Sequence, residues 1–389
     1  SDIDGTITIS TGTVDANGTF DANSGFVTFT DAGKLNLSST ITDLGTLSDN
    51  FGTVIYDGVD QDVLTDIYNN LVMGGSSGTK TLKGLDHDPL LPVAITVNSN
   101  LTVNVDVTFD VSGSDYAVNV GGALENNGTF SAREGTVIFN GSDNQIFTPG
   151  SSSYYNITLN NAGDDKLLTI AGDLEIDHDL TLTDGTLDLD TNDPAISIAG
   201  DLAIADGAVW TKGSGTATFD GVTQSMSDAN NTPNNLGDAL INSTQMTVTT
   251  DATFTSVQIS LGGKNILNTG KTLAITGALT IAGELEMADG SVVDAGGDVT
   301  VSGTLDMIGS SRLKMEGDLS FSGTMEASVT SRIDLDGGST QTISGSTTPA
   351  FNRIFCSSSA TVFSLTATIE DSLDAGGEDF TISSGKTLT

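Results

Sequence analysis

The chain has 389 residues, with 51 acidic against 13 basic side chains and a formal charge of −38 at pH 7. Such a surface repels nucleic acid and anionic membranes, whose recognition needs clustered Lys and Arg that this sequence lacks. No stretch approaches the ~20 apolar residues of a membrane-spanning helix, so neither nucleic-acid binding nor membrane insertion is expected, and the lone Cys356 excludes an intrachain disulfide.

With 37% hydrophobic residues and 46 glycines, the composition borders on that of a disordered chain. The arrangement argues for order. Leu, Ile, Val and Phe alternate with polar residues almost throughout, which is the period of a half-buried strand. From the N-terminus, Ile7/Ile9, Val14/Ala16, Phe20/Ala22 and Val27/Phe29 read as successive strands. Further on, Gly172-Asp-Leu-Glu-Ile leads to Leu180, Leu182, Leu187 and Leu189, and Gly200-Asp-Leu-Ala-Ile opens the next turn after an insertion.

Between residues 277 and 337 the pattern becomes regular. Gly277-Ala-Leu-Thr-Ile, Gly297-Asp-Val-Thr-Val and Gly317-Asp-Leu-Ser-Phe recur every 20 residues. So do Gly283-Glu-Leu-Glu-Met, Gly303-Thr-Leu-Asp-Met and Gly323-Thr-Met-Glu-Ala, and then Val293-Asp-Ala295, Leu313-Lys-Met315 and Ile333-Asp-Leu335. Three short strands per 20 residues, joined at glycine corners, predict an all-β, right-handed parallel β-helix running as one β-solenoid over 1–389, with about 14 to 18 turns. Leu279, Val299 and Leu319 should form one inward row, Ile281, Val301 and Phe321 a second, and Leu285, Leu305 and Met325 a third. Cys356, in the run Ile354-Phe355-Cys356, reads as a small core residue.

A longer module overlies this repeat. Gly52-Thr-Val-Ile-Tyr-Asp-Gly58, Gly135-Thr-Val-Ile-Phe-Asn-Gly141, Gly215-Thr-Ala-Thr-Phe-Asp-Gly221 and Ser331-Arg-Ile-Asp-Leu-Asp-Gly337 are each followed by a glutamine: Gln61, Gln145, Gln224 and Gln341. Three copies go on to an aromatic-Asn pair, Tyr68-Asn69, Tyr155-Asn156 and Phe351-Asn352, where the third has Leu236-Gly237. A recurring Gln is either a buried cap that travels with the scaffold or a binding residue on one face; the first reading is favoured.

The 20-residue turns and this module resemble the β-helical stalks of filamentous-haemagglutinin-type adhesins and other large repetitive bacterial surface proteins. The resemblance implies secretion and display at a cell surface or in a matrix. The expected role is that of a non-enzymatic structural subunit or stalk segment of an extracellular filament, matrix or appendage. The alternative is an adhesin shaft that binds glycan or protein through its loops. A polysaccharide-degrading β-helix enzyme is the minor alternative.

Four stretches are expected to leave the turns, near 38–50, 59–92, 222–245 and 338–350, and solenoids place such insertions where partners can reach them. Leu85-Asp-His-Asp-Pro-Leu-Leu-Pro92 is the most apolar of these segments. Both histidines sit in Asp-His-Asp triplets, 86–88 and 177–179. Imidazole and carboxylates suit divalent ions, but on a strand the two Asp would point away from the His, so a solvated strand face is expected. No catalytic or cofactor-binding residue is assigned, no cofactor is required, and calcium at acidic corners is the one ion for which the charge argues. Acidic pairs of the kind hydrolases need are too common here to single any out, and ranks of Thr-x-Thr at the turn period, as an ice-binding face requires, do not recur. Both ends read as open turns, with strand character from Ser1 to Ser10 and a stop partway through a turn at Thr389. The expectation is a piece of a longer stalk or head-to-tail stacking of copies.

Overall fold

The computed structural model describes residues 5–84, 94–161, 163 and 166–389, and these contain strands, turns and bends but no helix. Every described strand pair is parallel, and the turns number about 18 at roughly 20 residues each. The contacts divide the chain into two compact units, residues 1–194 with 207–209, and residues 195–206 with 210–389.

In the first unit one face is a continuous parallel ladder from Thr13–Ala16, through Lys34–Leu37 and Thr53–Tyr56, to Leu167–Ile170 and Thr186–Asp188. A second ladder runs from Ile67–Tyr68 through Ala94–Val97 and Thr136–Phe139 to Leu180–Asp184. The third face is discontinuous. Phe20–Asp21 pairs with Ile41–Asp43; a separate ladder then joins Gln61–Leu64, Gly78–Lys83, Val107–Asp110 and Thr129–Ser131; and a new one starts with Ser153–Tyr154 beside Leu174–Ile176.

The second unit holds the regular repeat. Leu279↔Val299↔Leu319, Ile281↔Val301↔Phe321 and Leu285↔Leu305↔Met325 are in register. Alternate residues of each strand point inward, so apolar rows run from turn to turn and bury what no single turn could bury alone. Met325 differs from its row-mates in being half-buried, and Thr324–Ala327 is the last hydrogen-bonded strand of its ladder. The third strand of each repeat forms the ladder Val292–Ala295, Arg312–Met315 and Arg332–Leu335.

Glycine is required at one corner by approach rather than by dihedral angle. A Cβ on Gly283, Gly303 or Gly323 would lie 2.1, 1.9 or 2.0 Å from the carbonyl oxygen of the glycine 20 residues earlier, far inside van der Waals contact.

The stretches expected to leave the turns remain largely within them. Ile41–Asp43, Thr46–Leu47, Gln61–Leu64, Ile67–Tyr68, Asn70–Met73, Gly78–Lys83, Asp238–Ile241 and Thr340–Gly345 are all ladder strands. Their Asn, Ser and Asp content misled because outward strand positions accept polar residues as readily as loops do. The apolar segment 85–92, with His87, lies outside the described residues.

Candidate functional site

The recurring glutamines are the clearest candidates, and the structure brings all four to the same corner geometry. Each Nε2 donates to two main-chain carbonyls of an earlier turn. Gln61 reaches Leu37 O and Ser39 O at 2.8 and 2.7 Å, and Gln145 reaches Val120 O and Gly122 O at 2.8 and 2.7 Å. Gln224 reaches Ile198 O and Gly200 O at 2.7 and 2.6 Å, and Gln341 reaches Met315 O and Gly317 O at 2.9 and 2.7 Å. Each Oε1 accepts the N–H of the glycine closing its own module, Gly58, Gly141, Gly221 or Gly337, at 2.9–3.2 Å. All four side chains are buried. The motif is therefore a corner staple, and its amide is consumed by the scaffold.

The aromatic member of the module departs from the sequence reading in one copy. Tyr68 and Phe351 point into the core, but in the second copy the core residue is Tyr154, and Tyr155 lies outside, half-buried. The core tyrosines are held alike: Tyr68 donates to Leu64 O at 2.7 Å and Tyr154 to Pro149 O at 3.0 Å, and burial pushes both hydroxyls well above their usual range. The dipeptide Tyr154-Tyr155 concealed which ring faces inward. The position after the core aromatic is Asn69 or Asn352 in the sister copies, and Tyr155 occupies it here.

Buried aspartates that the sequence reading did not single out anchor the loops. Asp228, 2% exposed, accepts the N–H groups of Asn230 and Asn234 at 3.0 and 2.7 Å, folding the segment 229–236 around one carboxylate. Asp188 accepts Thr169 Oγ1 at 2.9 Å and Thr191 Oγ1 at 2.6 Å. Asp110 takes Arg133 in a two-point ion pair, Nε to Oδ1 at 2.5 Å and Nη2 to Oδ2 at 2.8 Å; this hydrogen bonding holds its carboxyl below the ordinary value. The signal that could have found them is an Asp at an inward strand position directly before an Asn-, Ser- or Thr-rich run. Lys80 is fully buried, with Nζ donating to Gly58 O and to Val59 O; burial lowers its pKa.

The triplet Asp177-His178-Asp179 does not lie on a strand face. It forms the corner between Leu174–Ile176 and Leu180–Asp184. Ser153 Oγ donates to Asp177 at 2.7 Å. His178 Nδ1 lies 3.0 Å from Asn156 Oδ1 and 3.2 Å from Asp179 Oδ2, and its ring stacks on Tyr155 with centroids 4.7 Å apart and planes 8° from parallel. Among the described residues no group of three or more His, Cys, Asp or Glu side chains is placed to hold a metal ion. Cys356 is buried, as a core residue should be.

The charged side chains bridge successive turns. Lys264 contacts Glu284 and Glu286, both at 2.7 Å, and Lys314 contacts Asp294 at 2.8 Å and Asp336 at 3.4 Å. Arg312 and Arg332 share the buried Asp334. Asp306 is level with Glu286 and Glu326, and burial together with those neighbours raises its pKa.

Two grooves open in the first unit where the third face changes ladder. One, about 640 Å³, is lined by Ser38–Thr40, Asp60–Asp62, Thr79 and Thr81. The other, about 440 Å³, lies between Thr129–Arg133 and Ser151–Ser153, with Asp177 at its side. There Ser152 Oγ accepts Phe130 N–H at 2.9 Å, a hydroxyl standing where a ladder carbonyl would be. No helix among the described residues is long and apolar enough to cross a membrane. Comparison with known proteins finds no matching family model, no matching curated protein and no matching solved structure.

Proposed function

We propose that this chain is a non-enzymatic stalk or structural segment of an extracellular filament, matrix or surface appendage, of the kind its β-helical repeats resemble. The observation that carries this reading is where the chain's most distinctive motif is used. All four module glutamines, with their closing glycines, join main chain to main chain across turns and present no reactive group outward. The in-register apolar rows and the cross-turn ion pairs support the same reading, because each stiffens the stack along its own axis. End-to-end assembly of copies is part of this proposal, because a parallel ladder accepts a further parallel strand from a second copy. Negative-stain electron microscopy and fibre diffraction of the purified chain test this. Polymers with a strong ~4.8 Å reflection along the axis are expected. Separate particles at every concentration, with no such reflection, would refute assembly.

A further inference from the structure

We infer that the 440 Å³ groove of the first unit is a saccharide subsite, with the Tyr155–His178 stack as its platform. The inference goes beyond the structural role and rests on the surface around Ser153.

Ser153 lies on the strand Ser153–Tyr154 and Tyr155 at the corner that follows it, and Asp177 and His178 occupy the same corner on the following turn. The turn contacts are firm: Asp177 N donates to Tyr154 O at 2.7 Å and His178 N to Tyr155 O at 3.0 Å. On the preceding turn the residue level with Tyr155 is the buried Gly135, beside the pairing of Thr136 with Asn156. The tyrosine ring carries the imidazole, whose side chain is 47% exposed. The scaffold does not require an aromatic at this place, since the sister modules fill it with Asn69 and Asn352. The stack adjoins the groove through Asp177, which lines it and directly precedes His178, and flat rings next to hydroxyls and one carboxylate match the two surfaces of a pyranose. Its C–H face packs on rings, and its hydroxyl edge hydrogen-bonds to Ser151, Ser153 and Asp177.

The charge pattern favours a neutral sugar. The only cation lining the groove is Arg133, and two of its nitrogens are engaged by Asp110. Nη1 is left to donate to a hydroxyl, while Asp177 and the acidic surface repel sulfated or carboxylated chains.

The test uses the full chain and saturation-transfer NMR with lactose, maltotriose, cellotriose and mannotriose, followed by titration with the strongest responder. Transfer to at least one of them is expected. Tyr155→Ala, His178→Ala and Asp177→Asn should each weaken binding at least ten-fold, and Tyr155→Phe should retain it, because the phenol hydroxyl is not part of the platform. His178 is exposed at a corner, so its variant keeps the fold and separates loss of contact from loss of structure; circular dichroism checks this. Absence of transfer to all four sugars overturns the inference. So does binding that Tyr155→Ala, His178→Ala and Asp177→Asn leave unchanged. Either failure leaves the assembly test untouched, since that test reads a different property.

Discussion

Replacing Gln341 by Met preserves side-chain length and volume while deleting the staple, so the change isolates hydrogen bonding from packing. Three bonds are lost: to Gly337 N at 2.9 Å, to Met315 O at 2.9 Å and to Gly317 O at 2.7 Å. The losses are unequal. Met315 O keeps a second partner, Asp336 N at 3.1 Å, whereas the Gly337 N–H is left in a corner that excludes water. An unsatisfied buried group costs about 1–3 kcal/mol and a lost bond with a remaining partner about 0.5–1.5 kcal/mol. The sum is about 3 kcal/mol, roughly a hundred-fold in a local opening equilibrium. Because stability in stacked repeats is a sum of local and neighbour terms, amide hydrogen exchange resolved by residue is the suitable assay. Protection should fall about a hundred-fold at Gly337 and across the neighbouring pairing of Leu319 with Ile343, while strands several turns away stay unchanged. Gln341→Glu should be worse at pH 7, where a carboxylate faces two carbonyls, and should recover in acid as the protonated form regains a donor. That is the sign for a group whose folded-state pKa is raised: its stability is present at low pH and lost as pH rises through that value. Protection within two-fold of the parent in Gln341→Met would refute the staple argument.

Gly303→Ala places a Cβ 1.9 Å from Gly283 O and should shift thermal unfolding down by several degrees, with disrupted exchange confined to adjacent turns; an unchanged melting curve would show that the corner can relax. Asp228→Ala removes the carboxylate that gathers Asn230 and Asn234, so limited proteolysis should cut within 229–236 at least ten-fold faster, and equal rates would remove its anchoring role. Burial, with Asp43 and Asp49 nearby, pushes the Asp66 carboxyl up to about 6. The folded chain therefore holds that proton more tightly than the unfolded chain, and this contribution is lost as pH rises through 6. Asp66→Asn should raise the melting temperature at pH 8 and leave it unchanged near pH 4, and the reverse order would contradict the burial argument.

The fold was legible because the 20-residue period is written in the inward residues themselves. Leu285 and Leu305 had to share a row once their flanking glycines did, and the register pairs them. What stayed hidden depended on events at corners. The strand 174–176 ends at Asp177 without a glycine to mark it, so a corner triplet passed for a strand. Tyr154 and Tyr155 are chemically alike, and only the ladder register distinguishes core from surface. The glutamines were visible as a motif, but their partners lie 22–26 residues back in the chain, a separation no local pattern encodes. For the groove, composition could not help, since its Ser, Asp and Thr residues are those that coat the rest of the surface.

The modules and the interruptions of the ladders belong together physically. In a stack of parallel strands, a turn that gives up its hydrogen-bonded neighbour on one face exposes main-chain polar groups that must find other partners. On the third face of the first unit this happens between Ile41–Asp43 and Gln61–Leu64 and again between Thr129–Ser131 and Ser153–Tyr154, and on the second face between Thr46–Leu47 and Ile67–Tyr68. Gln61 opens the ladder after the first break, and Gln145 stands in the turn that contains the second. Each ties its turn to carbonyls of an earlier one, so the continuous face through Thr53–Tyr56 and Gln145–Thr148 keeps its register while the third face changes partners. The staple thereby tolerates an interruption, and the interruption leaves a groove with hydroxyls such as that of Ser152 in place of ladder carbonyls. A scaffold built this way gains recognition surface at the places where its own pairing is suspended, which is why the groove between Thr129–Ser131 and Ser153–Tyr154, rather than an uninterrupted face, carries the binding inference.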